Sequence, residues 1–154
     1  MRRRHDKIVA AIQDGLQSKG WIVYREPTIP VYEINSVRYP DLVAVKEGKA
    51  LCLDVGVTYE HGKTSLCSTY NLKKDKYEAI IPDIFSELSA WKHEISQIEV
   101  FGIIFGARCS IHNVALSKLR KFLDDWEIES TLLQLASDSY DMVDQCRRSY
   151  LTED

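Results

Sequence analysis

The sequence predicts a single α/β domain built on a central sheet of mixed strand direction. Two short apolar runs joined by a turn at Gly48 predict an antiparallel hairpin. Apolar residues recur at steps of three and four in residues 8–16 and again in 66–80, which is typical of amphipathic helices. Because a long helical crossover follows the hairpin, the apolar run 98–107 is expected to return as a strand parallel to its neighbour.

The length and composition are those of one compact domain. The 154 residues are 45% hydrophobic and 28% charged, enough for a single core over residues 1–154. No apolar run is long enough for a membrane span or signal segment, so we expect a soluble, intracellular protein without membrane contact. The four cysteines form no CxxC pair and the histidines complete no zinc spacing, which favours free thiols. With a net charge of −3, any DNA contact requires a local basic patch.

The first segments of the chain predict a helix followed by a strand. The apolar stripe of residues 8–16 faces one side of the helix, and Gly20 is expected to end it. Residues 21–27 predict the first strand, in which Pro27 stops regular pairing. Residues 28–37 either continue this strand after a kink or form an irregular arm.

The segments after the hairpin alternate between helix and strand. A polar loop over residues 57–65 leads into a helix that Pro82 is expected to end, and a second helical segment precedes the parallel strand. Two C-terminal helices follow that strand, the first capped by Ser110 or Asn113 and the second opened by Ser130. The four helical stripes consist of Leu66, Tyr70, Lys73, Tyr77 and Ile80; Ile84, Leu88, Trp91 and Ile95; Ala115, Leu119, Phe122 and Trp126; and Leu133, Ala136, Tyr140 and Val143.

Two aspartates lie at the ends of the hairpin strands. Asp41 begins the first strand, and Asp54 lies between Leu53 and Val55 in the second. Because the start of one antiparallel strand lies near the end of the other, the two carboxylates are expected to converge. An unpaired carboxylate is costly to bury, and a shared divalent cation would remove that cost. Glu26 is either a third acidic group near the cation or an exposed carboxylate at a strand end.

The helix after the hairpin carries three lysines that face different directions. Lys73 falls in the middle of the apolar stripe, whereas Lys74 is expected to point outward and Lys76 toward the edge of that face. A lysine on an inward face needs an anionic partner or must extend its ammonium group to water. The two upstream aspartates favour an anionic partner for Lys73.

Several segments match a known family in their order along the chain. They are RHDKIVAAI with GWIVYREP, then RYPDLVAV, LCLDVGV, YNLKKDKY and FGIIFGARCSIH. In this order they resemble the PD-(D/E)xK nucleases, and more narrowly the restriction-like endonuclease domain of site-specific non-LTR retrotransposons. Tyr39 stands where a basic residue is more usual in this family. The resemblance implies an αβββαβ core with a mixed central sheet and C-terminal helices.

One departure from the broad superfamily concerns the position of the lysine. The superfamily pattern expects a lysine two residues after the second acid, and this chain has Gly56 there. In the retrotransposon branch the lysine comes from the following helix, which agrees with the inward placement of Lys73. In the motif YNLKKDKY, Lys73 and Lys76 precede Tyr77 as the family's lysine pair precedes its tyrosine.

The resemblance implies phosphodiester hydrolysis. Asp41 and Asp54 are expected to hold Mg²⁺ or Mn²⁺, which would polarise a phosphoryl oxygen and lower the pKa of a bound water. Lys73 would place a positive charge near the developing anion, and Lys76 would be a second such group or a contact to a neighbouring phosphate. The expected DNA-binding residues are Arg38, Lys63 and Lys74.

The same resemblance implies a biological role. Domains of this family nick one strand of a double-stranded chromosomal DNA target, and the free 3′-hydroxyl primes reverse transcription of the element's RNA. The expected partners are therefore target DNA, that RNA and the reverse transcriptase domain of the parent protein, in the nucleus. Two other hypotheses for the function stay open. The chain is either a nuclease fold kept as a non-catalytic interaction module, or a Holliday-junction or repair nuclease of the same superfamily.

Overall fold

A computed structural model describes residues 2–58, 65–106, 113–124 and 128–129. Four of the described strands form one sheet, in which the last pair runs parallel and the other neighbours run antiparallel. The predicted α/β class with a mixed central sheet is therefore confirmed. In chain order the elements are α1 (Arg2–Ser18), β1 (Ile22–Arg25), β2 (Ile29–Val31), β3 (Ser36–Arg38), β4 (Leu42–Lys46), β5 (Lys49–Thr58), α2 (Ser65–Glu78), α3 (Ile81–Ala90), β6 (Gln97–Gly106) and α4 (Asn113–Phe122).

The main sheet has the order β1-β4-β5-β6 and is covered on both faces. Successive side chains of a strand point to opposite faces, so β4 and β5 each contribute to two separate apolar clusters. Leu42 and Leu53 belong to the cluster that includes residues of α1 and α4. Val43 and Cys52 belong to the cluster that includes residues of α3. Burial on both sides explains why these strands read as nearly continuous apolar runs.

Helix α1 forms because its apolar residues recur once per turn. Ile8, Ile12 and Leu16 are buried against the sheet. The helix ends at Ser18, and Gly20 follows with a φ of +89° and donates its N–H to the carbonyl of Gln17. The predicted glycine stop is thus confirmed, because glycine adopts this left-handed conformation without steric cost.

Residues 28–37 form neither of the structures expected for them. They fold into a separate two-stranded sheet, in which β2 pairs antiparallel with β3 through a short 3₁₀ turn. The prediction of a kinked continuation or an irregular arm was therefore wrong. Glu26 has a φ of +48° and turns the chain away from the main sheet, while Asn35 at +49° lets it reverse. Both residues occupy the left-handed region, which asparagine tolerates better than most residues.

The hairpin of β4 and β5 has the predicted antiparallel pairing. Leu42 lies opposite Leu53, and Lys46 lies opposite Lys49. The two-residue turn consists of Glu47 and Gly48, with φ values of +50° and +79°. Positive φ at both positions gives a turn whose twist matches that of the strands, so the register of the hairpin is fixed. This register sets which residues meet at the far end of the hairpin.

Helices α2 and α3 are separate, and Pro82 has a different place from the one predicted. Helix α2 already ends at Glu78, and Pro82 lies in the first turn of α3. The expectation that Pro82 ends the preceding helix was wrong, because the first turn of a helix leaves its N–H groups unpaired and accepts proline. The stripe of α3 was also predicted too long, since α3 ends at Ala90 and Ile95 lies beyond it, although Ile95 is still buried.

Strand β6 returns parallel to β5, as the long crossover predicted. The pairing runs over ten positions, from Lys49 opposite Gln97 to Thr58 opposite Gly106. Helix α4 lies where the first C-terminal helix was predicted. Of its predicted stripe, Leu119 is buried and Phe122 packs against the core, whereas Trp126 and the helix expected from Ser130 lie outside the described residues. None of the described helices is long and apolar enough to cross a membrane.

Candidate active site

Asp41 and Asp54 lie close together at one end of the hairpin. Asp41 directly precedes β4, and Asp54 is the first residue of β5 beyond its pairing with β4. The neighbouring pair Leu42 and Leu53 lies in register, which places the two aspartates side by side. Both are 7% exposed, and each carboxyl group is close enough to perturb the pKa of the other. The backbone N–H of Val55 donates to Asp41 Oδ2 at 2.7 Å. The convergence expected from the hairpin geometry is confirmed, while the roles of the two acids stay predictions.

Lys73 extends from α2 to the same place. Its Nζ lies 2.6 Å from Asp54 Oδ2, and its side chain is 27% exposed. Tyr70 and Tyr77, one turn away on either side, are buried at 4% and 2% exposure. The stripe of α2 therefore faces the sheet, and Lys73 has the anionic partner that an inward lysine requires.

His5 is part of this site, although the sequence reasoning did not select it. Its Nε2 lies 3.1 Å from Asp41 Oδ2, and its Nδ1 lies 3.2 Å from Asp6 Oδ1. The hydrogen bond to Asp41 is the main cause that raises the pKa of His5 to about 9, against the opposing effect of burial. The signal in the sequence was its spacing: His5 lies three residues before Ile8 and four before Val9, on the face that α1 buries.

The two carboxyl groups differ in their affinity for protons. Burial is the largest cause that raises the pKa of Asp54 to about 6, followed by the hydrogen bond and negative charge of Asp41, and Lys73 only partly offsets this. Burial also acts to raise the pKa of Asp41, but hydrogen bonds to His5, Asp54 and the Val55 N–H together hold it below its ordinary value. Neighbouring carboxylates resist ionising together, so a site of this kind favours a proton or a cation between them.

The negative potential of the pair extends to neutral groups nearby. Burial, followed by the charge of Asp54, raises the pKa of both the Tyr77 hydroxyl and the Cys52 thiol. Tyr77 Oη donates to the carbonyl of Tyr39 at 3.4 Å and so connects α2 to the chain just before Asp41. Burial and this negative potential make Cys52 unreactive, which agrees with the expected free thiol.

The donor set suits a hard divalent cation. Carboxylate oxygens are the ligands that Mg²⁺ and Mn²⁺ prefer, and Mg²⁺ commonly uses one or two carboxylates with water and phosphate. Asp41 and Asp54 provide such oxygens in a confined place. Within the described part of the chain, no group of three or more histidine, cysteine, aspartate or glutamate side chains is arranged to hold a metal ion. Two carboxylates are a sufficient protein contribution to a Mg²⁺ site, because water and phosphate commonly complete the shell of this ion.

Glu26 lies near the pair but faces solvent. It lines a cleft of about 110 Å³ together with His5, Arg25 and Asp41. Its backbone N–H donates to the carbonyl of Asp41 at 2.9 Å, whereas its side chain is exposed. The structure thus brings Glu26 beside the candidate site through its backbone.

Of the other basic residues selected from the sequence, the three that the structure describes have no contact with either carboxylate. Lys74 pairs with Glu78 at 3.7 Å on the surface of α2, and the exposed Lys76 lies 5.2 Å from the centre of the Tyr77 ring. Arg38 donates to Ser36 Oγ at 3.4 Å and to the carbonyl of Val37 at 3.3 Å, within its own hairpin. Lys63 lies outside the described residues.

Comparisons with known proteins do not place the chain in a family. No protein-family model matches it, and no curated protein is significantly similar to it. The features that bear on its chemistry are the contacts of Asp41, Asp54, Lys73 and His5.

Proposed function

We propose that this chain is a Mg²⁺- or Mn²⁺-dependent endonuclease that hydrolyses DNA through Asp41, Asp54 and Lys73. The observation that carries the proposal is the meeting of two buried carboxylates with an ammonium group 2.6 Å from one of them. Each acid has a basic partner, His5 for Asp41 and Lys73 for Asp54, yet burial and the neighbouring Asp41 still raise the pKa of Asp54 to about 6. Pairs of buried acids with perturbed pKa values concentrate at functional sites.

A bound divalent cation would supply Lewis acidity and neutralise charge on the phosphate. Asp41 and Asp54 would hold that cation. Lys73 already lies beside Asp54, and its ammonium would face a phosphate oxygen when the charge of Asp54 is shared with the cation. Lys76 is exposed one turn further along α2, where a contact to a neighbouring phosphate is the simplest role.

His5 would act as a positioning residue. Its hydrogen bond and that of the Val55 N–H both go to Asp41 Oδ2 and so orient this carboxylate. Because α1 is anchored by Ile8 and Ile12 in the core, the position of the imidazole ring is itself well determined. The expected consequence is a carboxylate already oriented before a cation arrives.

The proposed biological substrate is a double-stranded DNA target, nicked to prime reverse transcription of a non-LTR retrotransposon. This part of the proposal comes from the sequence resemblance, together with the expected nuclear location, RNA partner and reverse transcriptase domain. The net charge of −3 supports a division of labour in which other modules or bound RNA select the target. A salt titration of DNA binding tests that division: tight, sequence-selective binding by this chain alone would overturn it.

The nuclease proposal is tested by nicking of supercoiled plasmid DNA. We expect nicking with Mg²⁺ or Mn²⁺, none with EDTA, and a loss of at least about a hundredfold on Asp54→Ala. Asp75→Ala is the matched control, since Asp75 is an exposed acid on α2. A folded native chain that nicks no DNA with either cation would refute the proposal in favour of a non-catalytic module.

A panel of substrates separates the proposed target from branched DNA. Linear duplex, flap and four-way junction of the same length and sequence composition are compared at one salt concentration. The proposal expects the duplex to be cut at least as well as the others. Cleavage confined to the four-way junction or flap would instead indicate a resolvase or repair nuclease.

A further inference from the structure

We propose that Gly56 is a positioning residue, because the absence of a side chain there provides the path by which Lys73 reaches Asp54. This inference rests on the proposed nuclease function, and it adds a residue that touches neither substrate nor cation. It follows from distances around the Lys73 side chain.

A side chain at position 56 would occupy the space that Lys73 fills. A Cβ atom built on Gly56 would lie 2.7 Å from Lys73 Cε and 3.1 Å from Ile104 Cδ1. Real Cβ contacts essentially never fall below 3.0 Å, so one of the groups must move. Ile104 is fully buried, whereas Lys73 is 27% exposed, so the lysine would give way.

The neighbouring strand is also open where the lysine crosses it. Gly102 on β6 lies opposite Asp54 on β5. A Cβ atom at Gly102 would lie 3.4 Å from Lys73 Cβ and 3.3 Å from Ile104 Cδ1, so the fit there is tight as well. The aliphatic part of Lys73 therefore passes over two adjacent strands at the positions where each carries glycine.

The backbone at these positions does not require glycine. The described glycines with positive φ are Gly20 and Gly48, whereas Gly56 and Gly102 lie in strands. Glycine inside a strand lowers stability and usually marks a close approach of another group. The group that approaches Gly56 is Lys73, which makes space the reason for the glycine.

The alternation of side chains along β5 predicts what a lysine at position 56 would do. Residues 54 and 56 lie on the same face of the strand, so a side chain at 56 would begin next to Asp54. If Lys73 is shortened to alanine, a lysine at 56 gains room for its aliphatic part. Its ammonium would then lie beside Asp54, close to the place that Lys73 Nζ occupies in the native chain.

The test is a set of variants measured by plasmid nicking. Lys73→Ala is expected to lose about a hundredfold in rate, and Gly56→Ala at least about tenfold because the ammonium is displaced. Gly56→Ala combined with Lys73→Ala should be no slower than Lys73→Ala alone. Gly56→Lys combined with Lys73→Ala should regain at least about tenfold over Lys73→Ala. Gly56→Met combined with Lys73→Ala, which matches the length without the charge, should regain nothing.

Three results would overturn the inference. They are an unchanged rate for Gly56→Ala, a further loss when it is added to Lys73→Ala, and equal rates for the Lys and Met double variants. Thermal denaturation gives a readout that does not depend on nuclease activity. Gly56→Ala should lower the denaturation midpoint by roughly 3 °C in the native background and by much less in Lys73→Ala. If the native chain does not nick DNA, the proposed nuclease function fails. The packing argument fails separately if Gly56→Ala lowers the denaturation midpoint equally in the native chain and in Lys73→Ala.

Discussion

Replacing Asp54 by asparagine should stabilise the cation-free protein at alkaline pH while it abolishes nicking. The folded chain holds the pKa of Asp54 at about 6, above its ordinary value of 3.8, chiefly because burial disfavours the charged carboxylate. A raised folded-state pKa means that the folded state binds the proton more tightly than the unfolded state. Its contribution to stability is therefore fully present below about pH 4 and is lost as the pH rises through 6.

The size of this effect follows from the two pKa values of Asp54. One pKa unit corresponds to about 1.4 kcal/mol, so the difference between 3.8 and about 6 corresponds to about 3 kcal/mol. The group is nearly buried, so solvent screening removes little of this. Asparagine does not titrate. At pH 4 the unfolded-state carboxyl is already partly ionised, so the free energy of unfolding of Asp54→Asn, relative to the native chain, should rise by about 2.5 kcal/mol between pH 4 and pH 8.

Urea denaturation at pH 4, 6 and 8 without divalent cations measures this difference. Equal slopes of unfolding free energy against urea would show that the change lies in stability rather than in compactness. Adding Mg²⁺ or Mn²⁺ at pH 8 should stabilise the native chain more than Asp54→Asn. A stability difference that does not change between pH 4 and pH 8 would refute the electrostatic reasoning about this site.

Three further perturbations test other contacts. His5→Ala should raise the Mn²⁺ concentration for half-maximal nicking about tenfold, because Asp41 loses an orienting hydrogen bond. Asp14→Ala, which changes an exposed residue of the same helix, should leave that concentration unchanged. Equal Mn²⁺ dependence of the native chain and His5→Ala would contradict the positioning role. Lys76→Ala should weaken DNA binding at low salt. The nicking rate at saturating DNA should change less than about twofold, because this lysine contacts neither carboxylate. A large loss of that rate would instead indicate a catalytic role for Lys76. Glu47→Asn should raise the free energy of unfolding by about 0.5 kcal/mol, since asparagine tolerates a φ of +50° better than glutamate. Thermal denaturation measures this change, and a lower denaturation midpoint than that of the native chain would contradict the turn assignment.

Local periodicity predicted most elements of this fold. The stripe of α1, the hairpin around Gly48 and the parallel return of β6 all follow from the spacing of apolar residues and the length of a connection. The inward direction of Lys73 followed in the same way from its position between Tyr70 and Tyr77. These are properties of segments, and a sequence specifies segments well.

The predictions were wrong or incomplete where the structure of a segment depends on contacts with residues far away in the chain. Residues 28–37 pair with themselves because the left-handed backbone at Glu26 turns them away from β1, and no apolar pattern encodes that turn. Proline is compatible both with the end of one helix and with the first turn of the next. In the folded chain Pro82 lies in the first turn of α3. The spacing of His5 placed it on the buried face of α1, but its contact with Asp41 could not be inferred, because that partner is 36 residues away along the chain.

The class of the fold, the pairing of the hairpin strands and the face of α2 from which Lys73 projects are all predictable from the amino-acid pattern. Each of these depends on the regular repeat of a helix or a strand, which neighbours in the chain express. The contact of His5 with Asp41 and the space that Gly56 leaves for Lys73 become visible only in the folded chain. Those contacts depend on distances of a few ångströms between separate elements, and such distances are set only when the elements pack together.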